Sequence, residues 1–139
     1  RIAMLSYSNF GSVEGKIPIK VRDAVAILHR DHPDLIVDGD MQANFAINND
    51  MLTEHFPFSK LVGGAANTLI FPYLTAGNIA YKLIQELAGA EAIGPIIMGL
   101  DKSIHVLQMG SSVNEIVNMT AIAVIDAQNN EKRYENDKM

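Results

Sequence analysis

The chain has 139 residues, 48% hydrophobic and 19% charged, with a net charge of −5. That is the profile of a soluble globular domain with one core, because a fold of this length buries roughly 70% of the surface its unfolded chain exposes. Its scattered lysines and arginines form no basic stripe, which argues against nucleic acid and anionic membrane surfaces as partners, and its lack of cysteine excludes disulfide scaffolds and thiolate metal sites and fits a reducing cytoplasm.

Arg1 already belongs to an apolar run, so the chain reads as a fragment of something longer. No run approaches the ~20 apolar residues of a membrane span, and no signal peptide opens the chain. Ile2 to Leu5 reads as a strand that ends in a polar loop running from Ser6 to Pro18. From Lys20 to Arg30 the spacing of Val21, Ala24, Val25 and Leu28 predicts a helix, stopped at His32-Pro33. Leu35 to Val37 reads as a second strand closed by the turn-forming Asp38-Gly39-Asp40. Met41 to Leu52 is helical with a weak pattern, and Leu61 to Ala66 is a Gly-rich connection.

Thr68 to Phe71 is a third strand, stopped by Pro72. Gly77 to Leu87 is a helix with Ile79, Leu83, Ile84 and Leu87 on one face and Gly89 as its stop. Ile93 to Leu100 contains Pro95, so a strand there is an edge or irregular strand. Ile104 to Leu107 is a further short strand. The last helix runs from Ser112 to Gln128, opened by a Ser112–Glu115 capping box, and Asn129 to Met139 is a polar, frayed tail. Strands alternating with helices imply an α/β sandwich with a mostly parallel sheet.

Ligands of open α/β sheets bind beyond the carboxyl ends of the strands. Four loops leave strands that way: Ser6 to Lys16, Asp38 to Gln42, Pro72 to Asn78 and Gln108 to Ser112. Gly11, Gly15 and Lys16 do not make a Walker A loop, which needs a different glycine spacing and a hydroxyl after the lysine. The first loop is either a flexible connection or a phosphate cradle. Asp38 and Asp40 are either turn residues or a carboxylate pair for Mg²⁺ or acid–base work. His29 and His32 have metal-ligand spacing without a third ligand, and a solvated helix end accounts for them. His55 and His105 stand isolated. Asn78, after Gly77, marks a helix start that either caps or attracts an anion. Gly110-Ser111-Ser112 opens the last helix with the same two readings. No metal site is assigned.

Several strings carry a resemblance. Phe71-Pro72-Tyr73-Leu74-Thr75-Ala76-Gly77-Asn78-Ile79-Ala80-Tyr81-Lys82 resembles the pattern F-P-D-L-x-x-G-N-I-x-Y-K of phosphate acetyltransferases. Ala90 to Ile96 is similar to their A-x-A-I-G-P-I, and Val37 to Gln42 to their V-D-G-E-L-Q. Ser6 to Ser12 is similar to their S-F-S-T-x-G-S, and Gly110 to Asn118 to their G-C-S-x-x-D-I-V-N. The matches keep the family's order and span about Arg1 to Gln128. Asp40-Met41-Gln42-Ala43-Asn44, His105-Val106-Leu107-Gln108 and Val124-Ile125-Asp126-Ala127-Gln128 further resemble the domain fused behind the catalytic part of large bacterial NADP-dependent malic enzymes.

The resemblance implies that residues 1–128 are the C-terminal part of a phosphotransacetylase-like domain, followed by the tail 129–139. The implied fold is a three-layer sandwich related to isocitrate and isopropylmalate dehydrogenases, here only partly present. An acyl-CoA site in a cleft between two subdomains is implied, with a homo-oligomer and a malic enzyme catalytic domain in the same polypeptide. NADP and a divalent metal would belong to that catalytic domain. Loop position and motif point to Ser6, Ser8, Gly11, Ser12, Asn78, Lys82, Gln108, Gly110 and Ser111 as acyl-CoA contacts.

In the transferases the last loop reads Ser-Arg-Gly, and the aspartate of D-I-V-N serves as base toward the CoA thiol. Here those positions hold Gln108, Met109 and Glu115. A methionine cannot make the charge-assisted contact of a guanidinium, and one such loss costs roughly 10²–10³ in rate. The resemblance therefore implies acetyl-CoA as an allosteric effector without acetyl transfer. A working phosphate acetyltransferase and a purely structural oligomerisation module are the two rivals.

Overall fold

The structure, a computed structural model, describes residues 1–136, with side chains described through residue 131. Two compact units divide the chain between Leu83 and Ile84. In chain order the elements are β1 (Ile2–Leu5), α1 (Lys16–Asp31), β2 (Val37–Met41), α2 (Ala43–Ile47), α3 (Asn49–His55), β3 (Thr68–Ile70), α4 (Leu74–Ala88) and α5 (Val113–Asn136).

The first unit holds a three-stranded sheet in the order β2-β1-β3. Both pairings are parallel, with Ile2 opposite Val37 on one side and Thr68 on the other. Parallel strands covered on both faces read as continuous apolar or fully buried runs, and all five residues of β2 are buried. Ala3, Leu5, Met41, Ala46, Leu52 and Leu61 form the core, with Phe10, Phe45, Phe56, Leu69 and Phe71 packed against it. Val21 and Val25 of α1 are buried as well, as the helical spacing requires. The α/β class and the parallel sheet expected from the sequence are both present.

Several boundaries differ from expectation, each for a local reason. Asp38-Gly39-Asp40 does not turn the chain; it lies inside β2. Register with β1 shifts there, since Met4 faces Gly39 while Leu5 faces Met41. Asp40 is thus the extra residue of a bulge, a device that re-aims one side chain without ending the strand. Gly39 is required on two counts. Its φ is +147°, and a Cβ there would collide with the carbonyl oxygen of Met4.

Helix α1 begins at Lys16, earlier than expected, and takes Pro18 into its first turn, where a missing N–H costs nothing. The Met41–Leu52 segment is two short helices broken at Asn48, whose backbone is extended and whose side chain accepts from Met51 N at 3.0 Å. Helix α4 starts at Leu74, so Asn78 lies in its second turn and does not mark its start.

In the second unit the expected strands at Ile93–Leu100 and Ile104–Leu107 do not form. A strand exists through its ladder partner, and among the described residues of this unit no neighbour supplies one. Pro95 also removes a donor. Their side chains stay largely exposed, Met98 at 86% and Val106 at 57%. Helix α5 opens as expected, one residue past Ser112, but continues to Asn136 beyond the expected end at Gln128. Asn129 to Asn136 contain no glycine or proline to stop a helix, so the loss of apolar periodicity marked the end of a packed face and not of the helix. The remaining part of the expected tail, 137–139, lies outside the described residues.

Gly39→Ala is expected to lower the stability of the folded state by about 2–4 kcal/mol, from strain and overpacking together. Gly63→Ala, at φ +95° but facing open space, should cost only about 1 kcal/mol. Urea unfolding of the two variants checks this, and equal losses would refute the clash.

Candidate functional site

Three parallel strands in one sheet place their carboxyl ends on one edge. That edge carries the Ser6–Gly15 loop after β1, Gln42 after β2 and Phe71 to Tyr73 after β3. The Ser6–Ser12 segment is lashed to the end of β2. Ser6 N donates to Met41 O at 2.9 Å and Phe10 N to Asp40 O at 2.7 Å. Gln42 N donates to Asn9 Oδ1 at 2.8 Å, and Gln42 Nε2 to Tyr7 O at 2.9 Å.

The Asp40 carboxylate is the centre of this arrangement. Its side chain is fully buried, and it accepts from Ser6 Oγ at 3.0 Å and from Gly11 N at 3.0 Å. Arg22 Nη1 lies 3.7 Å away as its counter-charge. That nitrogen is itself buried without a hydrogen-bond partner and fills the space where a Cβ on Gly11 would sit, 2.8 Å away. Gly11 has φ +84°, so glycine is needed for both backbone and space. Asp38 is equally committed. It accepts from Ser59 Oγ and Lys60 N at 2.8 Å each and from Gly39 N at 3.0 Å. With these bonds the two carboxylates serve as structural ties, a role neither the turn nor the metal reading described.

The remaining serines of the loop also bond inward. Ser8 is buried, accepts from Val13 N at 3.2 Å and lies 3.5 Å from Ser12 Oγ. Ser12 Oγ accepts from Asn9 N at 3.0 Å, although the residue is exposed. Ser6, Ser8 and Gly11 therefore shape the loop, while Ser12 is exposed at its surface. Asn78 and Lys82 are exposed on α4, and Lys82 Nζ lies 4.6 Å from the centroid of the Tyr81 ring.

In the second unit Gln108 to Ser112 do not follow a strand but form the turn before α5. Ser111 N donates to Gln108 O at 3.0 Å, and Gln108 N to Ser111 Oγ at 3.2 Å. Gln108 and Gly110 are exposed and Ser111 is half-buried. Met109 projects fully into solvent. Ser112 and Glu115 form the reciprocal capping box, with Ser112 N donating to Glu115 Oε2 at 2.6 Å and Glu115 N to Ser112 Oγ at 3.2 Å. Glu91 accepts from Asn118 Nδ2 at 2.9 Å and from Asn114 Nδ2, a clamp on the start of α5 that no spacing rule announced.

The histidines are not all as expected. His29 Nε2 lies 2.7 Å from Val37 O and is tied to the sheet. His105 is not isolated. Its Nε2 lies 3.2 Å from Ser103 Oγ, while its Nδ1 accepts from Ile97 N at 3.4 Å. The imidazole is thus held from both ring nitrogens, by the Ser103 hydroxyl and the Ile97 amide. Among the described residues no group of three His, Asp or Glu side chains could hold a metal ion, and no helix is long and apolar enough to cross a membrane.

Asp40→Ala would strand Gly11 N and the Arg22 guanidinium together, while Ser6 Oγ keeps the Ser8 carbonyl as an acceptor at 3.1 Å. A loss of about 3–5 kcal/mol is expected, read by denaturant unfolding, and a loss under about 1 kcal/mol would show that the carboxylate does not hold the loop. Ser112→Ala should cost about 1 kcal/mol through the α5 cap, read as a lowered melting temperature. An unchanged melting temperature would count against the capping role.

Known proteins resemble this chain closely. The family described as phosphate acetyl/butaryl transferase matches residues 1–124. A phosphate acetyltransferase of Clostridium acetobutylicum is 46% identical over 92% of the chain and 38% of that relative. An NADP-dependent malic enzyme of Rhizobium meliloti is 42% identical over 91% of the chain and 16% of that relative. A solved phosphotransacetylase from Streptococcus pyogenes superposes with a TM-score of 0.85 at 41% identity, covering 92% of the chain and 39% of that structure. The chain thus spans about two fifths of the length of these transferases.

Proposed function

This chain belongs to the phosphate acetyl/butaryl transferase family, and from that premise we propose that it is a regulatory acyl-CoA-binding domain of an NADP-dependent malic enzyme, without acetyl-transfer chemistry of its own. In this reading the polypeptide also carries the malic enzyme catalytic domain, which holds NADP and a divalent metal and decarboxylates malate to pyruvate. The assembly is a cytoplasmic homo-oligomer, and acetyl-CoA is its effector.

The observation that carries the reading is the turn from Gln108 to Glu115. Where a transferase needs a guanidinium, Met109 offers a thioether in open solvent, which makes no charge-assisted bond to a phosphoryl group. Where it needs a base, Glu115 bonds the backbone of its own helix start. The binding surface itself is less altered. The Ser6–Ser12 loop is rigidly built, and Ser12, Asn78 and Lys82 remain exposed. A domain that keeps recognition and loses the reacting groups can act only by binding one state of its enzyme better than another, a coupling of typically 1–3 kcal/mol.

Acetyl-CoA titrated into the intact polypeptide is expected to give a saturable heat of binding and to change the rate of malate-dependent NADPH formation roughly 5–150-fold at saturation. An unchanged rate with binding would refute regulation, and no binding at millimolar ligand would leave a structural module. A second reading, a working phosphate acetyltransferase, draws on the 46% identity to a protein of that name. A coupled assay with acetyl phosphate and CoA separates the two. Turnover roughly 10²-fold or more below that of an arginine-bearing relative is expected, and robust turnover would favour the second reading.

A further inference from the structure

Tyr73 joins β3 to α4. It stands on the same sheet edge as the Ser6–Ser12 loop, because β3 lies beside β1 and runs parallel to it. The residue is 49% exposed, and Lys20 of α1 places its ammonium 6.0 Å from the ring centroid. The described ion pairs are Arg22–Asp40 and Arg30–Asp31, so among the described residues no carboxylate pairs with Lys20. The backbone carbonyl of Tyr73 accepts from Gly77 N at 3.2 Å, which makes it the entry to α4. The first turn of that helix holds no acidic side chain. In the pattern F-P-D-L the corresponding position is an aspartate; here it is an aromatic ring.

Each feature has a chemical counterpart in one kind of ligand. A half-exposed ring with a cation near it has area left for a flat π-system, and base–aromatic stacking is tolerant of orientation. An unpaired ammonium and the free amides of a helix start attract a phosphate. Removal of the carboxylate removes the group that would repel that phosphate. We propose that Tyr73 and Lys20 form a subsite for a phosphate-bearing purine, the adenosine end of an acyl-CoA. The proposal rests on the acyl-CoA reading above and assigns it two residues that the motif resemblance did not single out as ligands.

The test compares acetyl-CoA, S-acetyl-pantetheine, which lacks the nucleotide, and ADP, each titrated into the intact polypeptide. Wild type, Tyr73→Phe, Tyr73→Ala and Lys20→Met are used, with circular dichroism and melting temperature as folding controls. The wild type is expected to bind acetyl-CoA at least tenfold more tightly than acetyl-pantetheine. Tyr73→Ala should lose roughly tenfold in acetyl-CoA affinity with acetyl-pantetheine unchanged, Tyr73→Phe should keep the ring's contribution, and Lys20→Met should flatten the salt dependence. A folded Tyr73→Ala that keeps the full advantage of acetyl-CoA would overturn the subsite while leaving the acyl-CoA reading intact. Tyr73-dependent binding of ADP without binding of acetyl-CoA would instead support a purine subsite and sink the acyl-CoA reading.

Discussion

One buried carboxylate constrains the sheet edge on which the candidate site stands. Asp40 is fully enclosed, and a charge in that position persists only with hydrogen bonds and a counter-charge around it. Ser6, Gly11 and Arg22 supply them from the first loop and from α1. A single bulge residue therefore fixes where the β1 loop returns, how α1 is set against the sheet, and which side of the loop is left outside. Phe10, held at φ 48° beside Gly11, is turned inward by the same constraint and packs on Phe56 and Phe58 at about 5 Å between ring centroids.

That arrangement separates groups that build the edge from groups that can meet a ligand. Ser6 and Ser8 are consumed in shaping the loop, and Asp38 anchors the segment around Ser59. Exposed around them stand Tyr7, Ser12, Glu14, Lys16, Lys20, Tyr73, Asn78 and Lys82, groups of both charges. In the second unit Met109 stands in open solvent and Glu115 caps the start of α5.

Local signals were legible wherever the chain's own neighbours decide the outcome. The Ser112–Glu115 cap and the Gly89 stop at φ 61° both depend on residues within a few positions of one another. The strings that carry the family resemblance are local too, and they led to the fold that the solved phosphotransacetylases share. The apolar runs at Ile93–Leu100 and Ile104–Leu107 misled because hydrophobicity reports a tendency to be covered, whereas a strand needs a specific hydrogen-bonding neighbour.

The sequence by itself determined the α/β class, the parallel sheet, the family and the absence of an arginine at position 109, since these follow from periodicity, composition and motif. Only the tertiary structure decided that Asp38-Gly39-Asp40 is strand and not turn, that Asp40 pairs with Arg22, that His105 is held by Ser103 and Ile97, and that Lys20 lies over Tyr73. The reason is physical. An Asp-Gly-Asp string is turn chemistry in water, and it becomes a buried strand only when residues distant in sequence supply the donors and the counter-charge that its carboxylates require.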